Sequence, residues 1–223
     1  MYYADYEYGY DKYKRTLEIG TMGSPVRKFT YLSNYIKQEW QVPDREHNFI
    51  SGRDGVFAEI VFEDGNPQPN IVYIHTNYLG SVQVITDQNG NKLEEYAFDP
   101  WGKMRDPDDW SLDKDPNSCI WFEYICYRGY TGHEYLPEFE LIDMKARLYD
   151  PVVGQFLSPD NYVQAPEYSQ NFNRYAYCLN NPMKYTDPSG DFFFSALPGV
   201  GAIINAACWG AVWGAGTSAI SYT

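Results

Sequence analysis

Cysteine and positive charge are both scarce in this chain, and each scarcity argues against a class of protein. The cysteines number four, lie far apart and include no CxxC pair: Cys119, Cys126, Cys178 and Cys208. This spacing predicts buried thiols instead of a zinc knuckle or a dense disulfide framework. Lys and Arg together number 17 against 30 Asp and Glu, which gives a net charge of -13. A surface of that sign repels nucleic acid, so we expect no nucleic-acid partner.

Two further signals are missing. The N-terminal stretch MYYADYEYGYDKYKR carries acidic residues where a signal peptide needs a basic start and an apolar run, so we expect no conventional export signal. The carboxylates clustered over residues 103–118 lack the spaced aspartates and the distal glutamate of a calcium-binding loop. That stretch predicts a solvated loop, and we expect neither a metal nor a cofactor.

Aromatic residues, in contrast, are abundant, with 22 Tyr and 12 Phe in an 18% aromatic chain. Such residues favour the pleated, half-buried surface of a sheet. Polar and apolar residues alternate, as in antiparallel strands, over residues 2–13, 12–20, 27–36 and 48–63. The clearest hairpin joins Ser81–Thr86 to Lys92–Phe98 through the turn sequence Asp87–Gly90. The sequence therefore predicts a mainly β fold of antiparallel hairpins.

The composition changes abruptly after Gly190. Before it lies a Tyr- and Asn-rich stretch with Asp-Pro turns, and after Asp191 no charged residue follows as far as Thr223. Small residues recur every fourth position at Ala202, Ala206, Gly210, Gly214 and Ser218. A helix with that stripe would exceed the about 20 apolar residues needed to cross a bilayer. The composition of residues 192–223 therefore predicts a membrane-contacting segment, helical in part, a buried Gly-rich core segment, or the opening of a longer domain.

Five stretches resemble, in sequence and in order, the Rhs repeat-associated core domain. They are HTNYLGSVQVITDQNG (75–90), YAFDPWGK (96–103), RGYTGHEYL (128–136), ARLYDPVVGQFLSPD (146–160) and NRYAYCLNNPMKYTDPSG (173–190). The Tyr-rich N-terminal part resembles degenerate YD repeats of the same proteins. The resemblance implies three parts: YD-repeat-like strands at residues 1–70, the core domain at 71–190, and a variable apolar segment at 191–223.

This family consists of bacterial polymorphic toxins and insecticidal toxin components. The resemblance implies a β-shell of YD-repeat hairpins, closed by the core domain, around a C-terminal polypeptide. It also implies a secreted or otherwise delivered bacterial protein whose partners are the rest of the shell, or a longer polypeptide, and its own C-terminal segment.

The same resemblance implies an aspartyl protease that acts in cis and severs the C-terminal segment just beyond a DPxG motif. Its catalytic residues fall on Arg147, Asp160 and Asp187, and its cleavage region falls on residues 190–192, which are Gly190, Asp191 and Phe192. Two carboxylates that share one proton can supply the base and the acid for peptide hydrolysis, while an arginine stabilises an oxyanion.

The chain departs from the family pattern at Gln155, Asn161 and Asp191, where an Arg, a Pro and an apolar residue are usual. The resemblance therefore does not fix the scissile bond. Two alternatives stay open: a noncatalytic structural or cell-surface interaction module, and a membrane-inserting C-terminal segment.

Overall fold

The computed structural model describes residues 2–8, 14–21, 24–32, 35–39, 44–52, 55–112, 128–161, 163, 169–191 and 194–195. Residues 119–127, whose sequence also favours a strand, lie outside these residues. So do Phe192 and, apart from residues 194–195, the predicted membrane-contacting segment. Within the described residues, no helix is both long and apolar enough to cross a bilayer.

Nine strands of the described chain form one antiparallel sheet, in which each strand pairs with its neighbours in sequence. Their bounds are β1 Tyr2–Tyr8, β2 Lys14–Thr21, β3 Ser24–Leu32, β4 Tyr35–Glu39, β5 Arg45–Gly52, β6 Gly55–Glu63, β7 Asn70–Thr76, β8 Val82–Asp87 and β9 Lys92–Glu95. The predicted mainly β fold is confirmed. The sheet continues from β6 to β7 across residue 70, and the sequence-derived boundaries after residues 70 and 190 stay predictions.

One face of this sheet is buried. Register places Ile36 opposite His47 and His47 opposite Val61, so these three side chains project to the same side, and all three are buried. The apolar residues of that face are Leu17, Ile19, Phe29, Ile36, Phe49, Val61, Val72, Ile74 and Ile85. Burial of one face follows from the alternation in the sequence, because successive side chains of a strand point to opposite sides.

The chain divides into two compact units, the first of which comprises Met1–Asp99 and Met104–Ile142. Besides the nine-stranded sheet, this unit contains the β10 (Ala97–Phe98) and β11 (Met104–Arg105) pair. A short 3₁₀ turn at Tyr130–Gly132 and strand β12 (Glu134–Leu136) follow, and β13 (Leu141–Asp143) runs to the boundary between the units.

The second unit comprises Pro100–Lys103 and Asp143–Thr223. Its regular elements are short: strands β14 (Leu148–Asp150), β15 (Gln155–Phe156), β16 (Tyr185–Thr186) and β17 (Phe194–Ser195), and 3₁₀ turns at Ser169–Phe172 and Cys178–Asn180. Three buried aromatic rings, those of Tyr149, Phe156 and Tyr177, form its core. Their centroids lie 4.8 to 5.9 Å apart in tilted and edge-on arrangements, which aromatic pairs prefer.

Candidate active site

Arg147 stands directly before β14 and above the aromatic core of the second unit. The hairpin of β14 and β15 pairs Tyr149 with Phe156, which brings the Phe156 ring beneath the arginine. The guanidinium carbon lies 3.6 Å from the centroid of that ring. Contact with an aromatic face favours a desolvated cation and restricts its orientation. The hairpin therefore supplies a buried arginine in a defined position.

Both predicted catalytic carboxylates contact this arginine. Its Nη2 lies 3.3 Å from Asp160 Oδ2 and 3.4 Å from Asp187 Oδ2. All three residues are nearly removed from solvent, with 7% of Arg147, 6% of Asp160 and 2% of Asp187 exposed. Burial of two carboxylates with one cation strengthens every electrostatic interaction among them, because little water screens the charges.

A turn led by Asp187 directs the main chain into this cluster. Asp187 Oδ1 accepts hydrogen bonds from the Gly190 amide at 2.8 Å and from the amide and hydroxyl of Ser189 at 3.3 Å each. Aspartate commonly caps its own turn in this way, and the predicted turn is confirmed. The turn aims the Gly190 carbonyl at Arg147, whose Nε donates a hydrogen bond to it.

Gly190 is fixed from its other side by the chain at residues 144–146. It has a φ of +76°, and a Cβ placed on it would lie 2.3 Å from the Met144 carbonyl oxygen. Next to it, the Ala146 amide donates to the Ser189 carbonyl at 3.1 Å, and Lys145 Nζ donates to the Pro188 carbonyl at 2.9 Å. Only glycine fits this position without displacement of the backbone.

Asp160 is held by Arg174, a residue that the sequence analysis did not select. The Asp160 amide donates to the Arg174 carbonyl at 2.8 Å, and Arg174 Nε donates back to the Asp160 carbonyl at 2.6 Å. The same Arg174 carbonyl accepts a hydrogen bond from Arg147 Nη1 at 3.3 Å. The signal available in the sequence was the location of Arg174 within the motif at residues 173–190.

Two further ionisable side chains border the cluster. Burial raises the pKa of the Asp191 carboxyl, the positive charge of Arg147 lowers it, and the negative charge of Asp160 raises it. Burial also raises the pKa of the Cys178 thiol well above its usual range, and the charge of Asp187 adds to that effect. Because the charges of the cluster contribute to both pKa shifts, Asp191 and Cys178 lie close enough to interact with those charges.

The structure thus brings together Arg147, Asp160, Asp187 and Gly190, and it places Asp191 beside them. Phe192, the last residue of the predicted cleavage region, lies outside the described residues. Across the described ranges, no three His, Cys, Asp or Glu side chains are grouped to hold a metal ion. The cluster contains groups that are suited to hydrolysis of a peptide bond: two carboxyl groups, a fixed cation and a peptide carbonyl bound to that cation.

Comparison with known proteins gives one family and several much longer relatives. The teneurin YD-shell family matches residues 59–183. The tRNA3(Ser)-specific nuclease WapA of Bacillus spizizenii is 32% identical over 154 residues, which cover 66% of this chain and 6% of that protein. Salivary gland surface protein 1 of Aedes aegypti is 30% identical over 159 residues, which cover 71% of this chain and 4% of the relative. The chain therefore spans a small fraction of the relatives that it matches.

Solved structures show the same fold. A crystal structure of TcdB2–TccC3–Cdc42 matches 84% of this chain and 9% of its own, with a TM-score of 0.65 and 22% identity. A Tc holotoxin pore of Photorhabdus luminescens matches the same shares, with a TM-score of 0.65 and 21% identity. In both, the matched part belongs to a longer polypeptide. The family match covers more than half of the sequence, and with these similarities it shows that this chain belongs to the teneurin YD-shell family and is an Rhs/YD-repeat protein.

Proposed function

We propose that this chain is the closing end of an Rhs/YD-repeat toxin shell and that it cleaves its own backbone beside the Asp187–Gly190 turn. One observation carries the proposal: the guanidinium of Arg147 contacts Asp160, Asp187 and the Gly190 carbonyl together. Cleavage there frees the C-terminal segment from the shell.

The reaction is hydrolysis of a peptide bond in cis. One carboxylate of the Asp160 and Asp187 pair accepts a proton from water, and the water oxygen forms a bond to the carbonyl carbon. Arg147 stabilises the negative oxygen of the tetrahedral intermediate. The partner carboxylic acid gives its proton to the nitrogen as the carbon–nitrogen bond breaks, which leaves a new carboxyl group and a new amine.

Two features favour this chemistry. The reacting bond is part of the same chain, and well-oriented intramolecular groups gain about 7 to 11 kcal/mol over separate reactants. The site is buried, so the hydrogen bond from Arg147 to the carbonyl is not weakened by bulk water. Within the cleavage region 190–192, the carbonyl that contacts Arg147 is that of Gly190, so we expect the Gly190–Asp191 bond to break.

The wider setting is part of the same proposal. The chain covers 6% of WapA and 9% of the matched chain in the TcdB2–TccC3–Cdc42 structure, so the complete shell requires further YD-repeat polypeptide. The freed segment begins at Asp191, and the absence of charged residues over 192–223 favours contact with a membrane. As the resemblance to Rhs polymorphic toxins implies, the protein would act as a secreted or delivered toxin component.

Intact-mass spectrometry of the purified chain tests the proposal. We expect the wild type to lose a C-terminal fragment that begins at Asp191, whereas Asp160→Asn and Asp187→Asn remain full length. Asparagine keeps the shape of each side chain and the acceptor on which the Asp187 turn depends, so loss of cleavage would report lost acid–base chemistry.

Asp106→Asn is the matched control. Asp106 also precedes a proline and accepts hydrogen bonds from its own turn, from the amides of Asp108 and Asp109, but it belongs to the first unit. We expect this variant to cleave like the wild type. A wild-type chain that stays intact would refute self-cleavage and leave the noncatalytic shell module. A fragment that begins at Phe192 would move the scissile bond by one residue.

A further inference from the structure

Arg174 makes its contacts with the site from an exposed position. Its side chain donates through Nε to the Asp160 carbonyl, while its own carbonyl accepts from the Asp160 amide and from Arg147 Nη1. One residue therefore holds both main-chain polar groups of Asp160 and one nitrogen of the guanidinium. Of these three bonds, only the one from Nε depends on the identity of the side chain.

The two proposed catalytic aspartates are fixed in different ways. Asp187 caps its own turn through contacts with Ser189 and Gly190, two and three residues away. Asp160 lies fourteen residues before Arg174, and the segments around them are joined by main-chain bonds. The Phe156 amide donates to the Tyr175 carbonyl at 2.9 Å, at one end of this contact. The bonds between Arg174 and Asp160 lie at the other end of this contact, next to the proposed catalytic carboxylate of Asp160.

We propose that Arg174 is a positioning residue that sets the place of Asp160 against Arg147, an inference that rests on the proposed self-cleavage. The chain runs on from Asp160 to Asn161, where the family usually has a proline that restricts the backbone. The Nε–H bond to the Asp160 carbonyl supplies a restraint at that point. Without it, the carboxylate can move relative to Arg147 and Asp187, and a displacement near 1 Å lowers a rate by about 100-fold.

Two substitutions of Arg174 by side chains of similar length distinguish the effect of the lost hydrogen bond from the effect of lost side-chain volume. Arg174→Met removes the donors and keeps the aliphatic stem, whereas Arg174→Lys keeps a donor that can reach the Asp160 carbonyl. We expect cleavage in the full chain to slow by about 10- to 100-fold in Arg174→Met and to recover to within about tenfold of the wild type in Arg174→Lys. The control Lys184→Met removes an exposed cation from the same segment and should cleave at the wild-type rate.

A second measurement does not depend on cleavage. In chains that carry Asp187→Asn, we expect the ¹³C carboxyl resonance of Asp160 to move on Arg174→Met, to return towards its original position in Arg174→Lys and to stay unchanged on Lys184→Met. A resonance that stays in place in Arg174→Met overturns the positioning role, as does wild-type cleavage by a folded Arg174→Met chain. An uncleaved wild type would refute the proposed function alone, because the resonance still decides whether Arg174 positions Asp160.

Discussion

Replacement of Gly190 by alanine tests the tight packing of the turn against the chain at residues 144–146. The new methyl group would lie 2.3 Å from the Met144 carbonyl oxygen, 3.1 Å from the Met144 carbonyl carbon and 3.2 Å from the Ala146 nitrogen. All three are backbone atoms, so no side-chain rotation relieves the overlap. The turn must move, and the Gly190 carbonyl must leave Arg147.

The expected loss of folding stability in Gly190→Ala has two parts. A non-glycine residue at a φ of +76° costs about 1 to 2 kcal/mol, and forced repacking in a filled site costs about 1 to 3 kcal/mol more. The free energy of unfolding should therefore fall by about 2 to 5 kcal/mol. For a chain of this length, each kcal/mol lowers the melting temperature by about 2 to 4 °C.

Gly90→Ala is the matched control. Gly90 has a φ of +83°, but a Cβ there would meet no atom within 4 Å, so this substitution carries only the conformational part of about 1 to 2 kcal/mol. Both variants should be melted in a chain that also carries Asp160→Asn, followed by circular dichroism, so that self-cleavage does not alter the sample. A Gly190→Ala chain that melts no lower than Gly90→Ala would refute the steric reasoning.

Two further predictions follow from buried ionisable groups. Glu59 contacts His47 Nδ1, and burial raises the pKa of the Glu59 carboxyl, so the folded state favours the protonated acid. The stability gained from this protonated form is fully present below the ordinary pKa of a glutamate. It is lost as pH rises through the raised pKa of the folded state. Calorimetry should therefore show that Glu59→Gln raises the melting temperature relative to wild type more at pH 8 than at pH 4, and an equal effect at both would contradict this. Burial and the charge of Asp187 raise the pKa of the Cys178 thiol and keep it protonated. Iodoacetamide labelling, followed peptide by peptide, should therefore modify Cys178 far more slowly in the native chain than in the urea-unfolded chain. Equal rates would show that the thiol is accessible in the native chain.

The hairpin of β8 and β9 was predictable because its signals are local. Asp87 Oδ1 accepts hydrogen bonds from the Asn89 and Asn91 amides at 2.8 Å each, and Gly90 takes the positive φ that the turn requires. The alternation on both sides of that turn then sets which side chains face the interior. Neither step needs information from distant residues.

The site was predictable only through resemblance to a family. Arg147, Asp160 and Asp187 are separated by long stretches of chain, and no spacing rule for a helix or a strand brings them together. The resemblance supplied their positions, and the structure places them in contact. Their catalytic role stays a prediction.

His47 and Glu59 show why other polar residues escaped notice. Each looks like an ordinary polar position of an alternating strand, yet both are fully buried and hydrogen-bonded to each other. Alternation indicates which side of a strand a residue occupies, but it does not reveal which polar positions the rest of the chain will cover. Arg174 escaped for a related reason, since its role depends on a contact with a loop fourteen residues away.

The consecutive pairing of β1 to β9 bears on how the protein is made. Each strand from β2 to β9 pairs with the strand synthesised just before it, so each loop to be closed is short and the sheet can grow one strand at a time as the chain leaves the ribosome. Asp187, in contrast, emerges after the whole sheet and after Arg147 and Asp160. The order of synthesis therefore delays assembly of the proposed protease until the strands that precede it have been made.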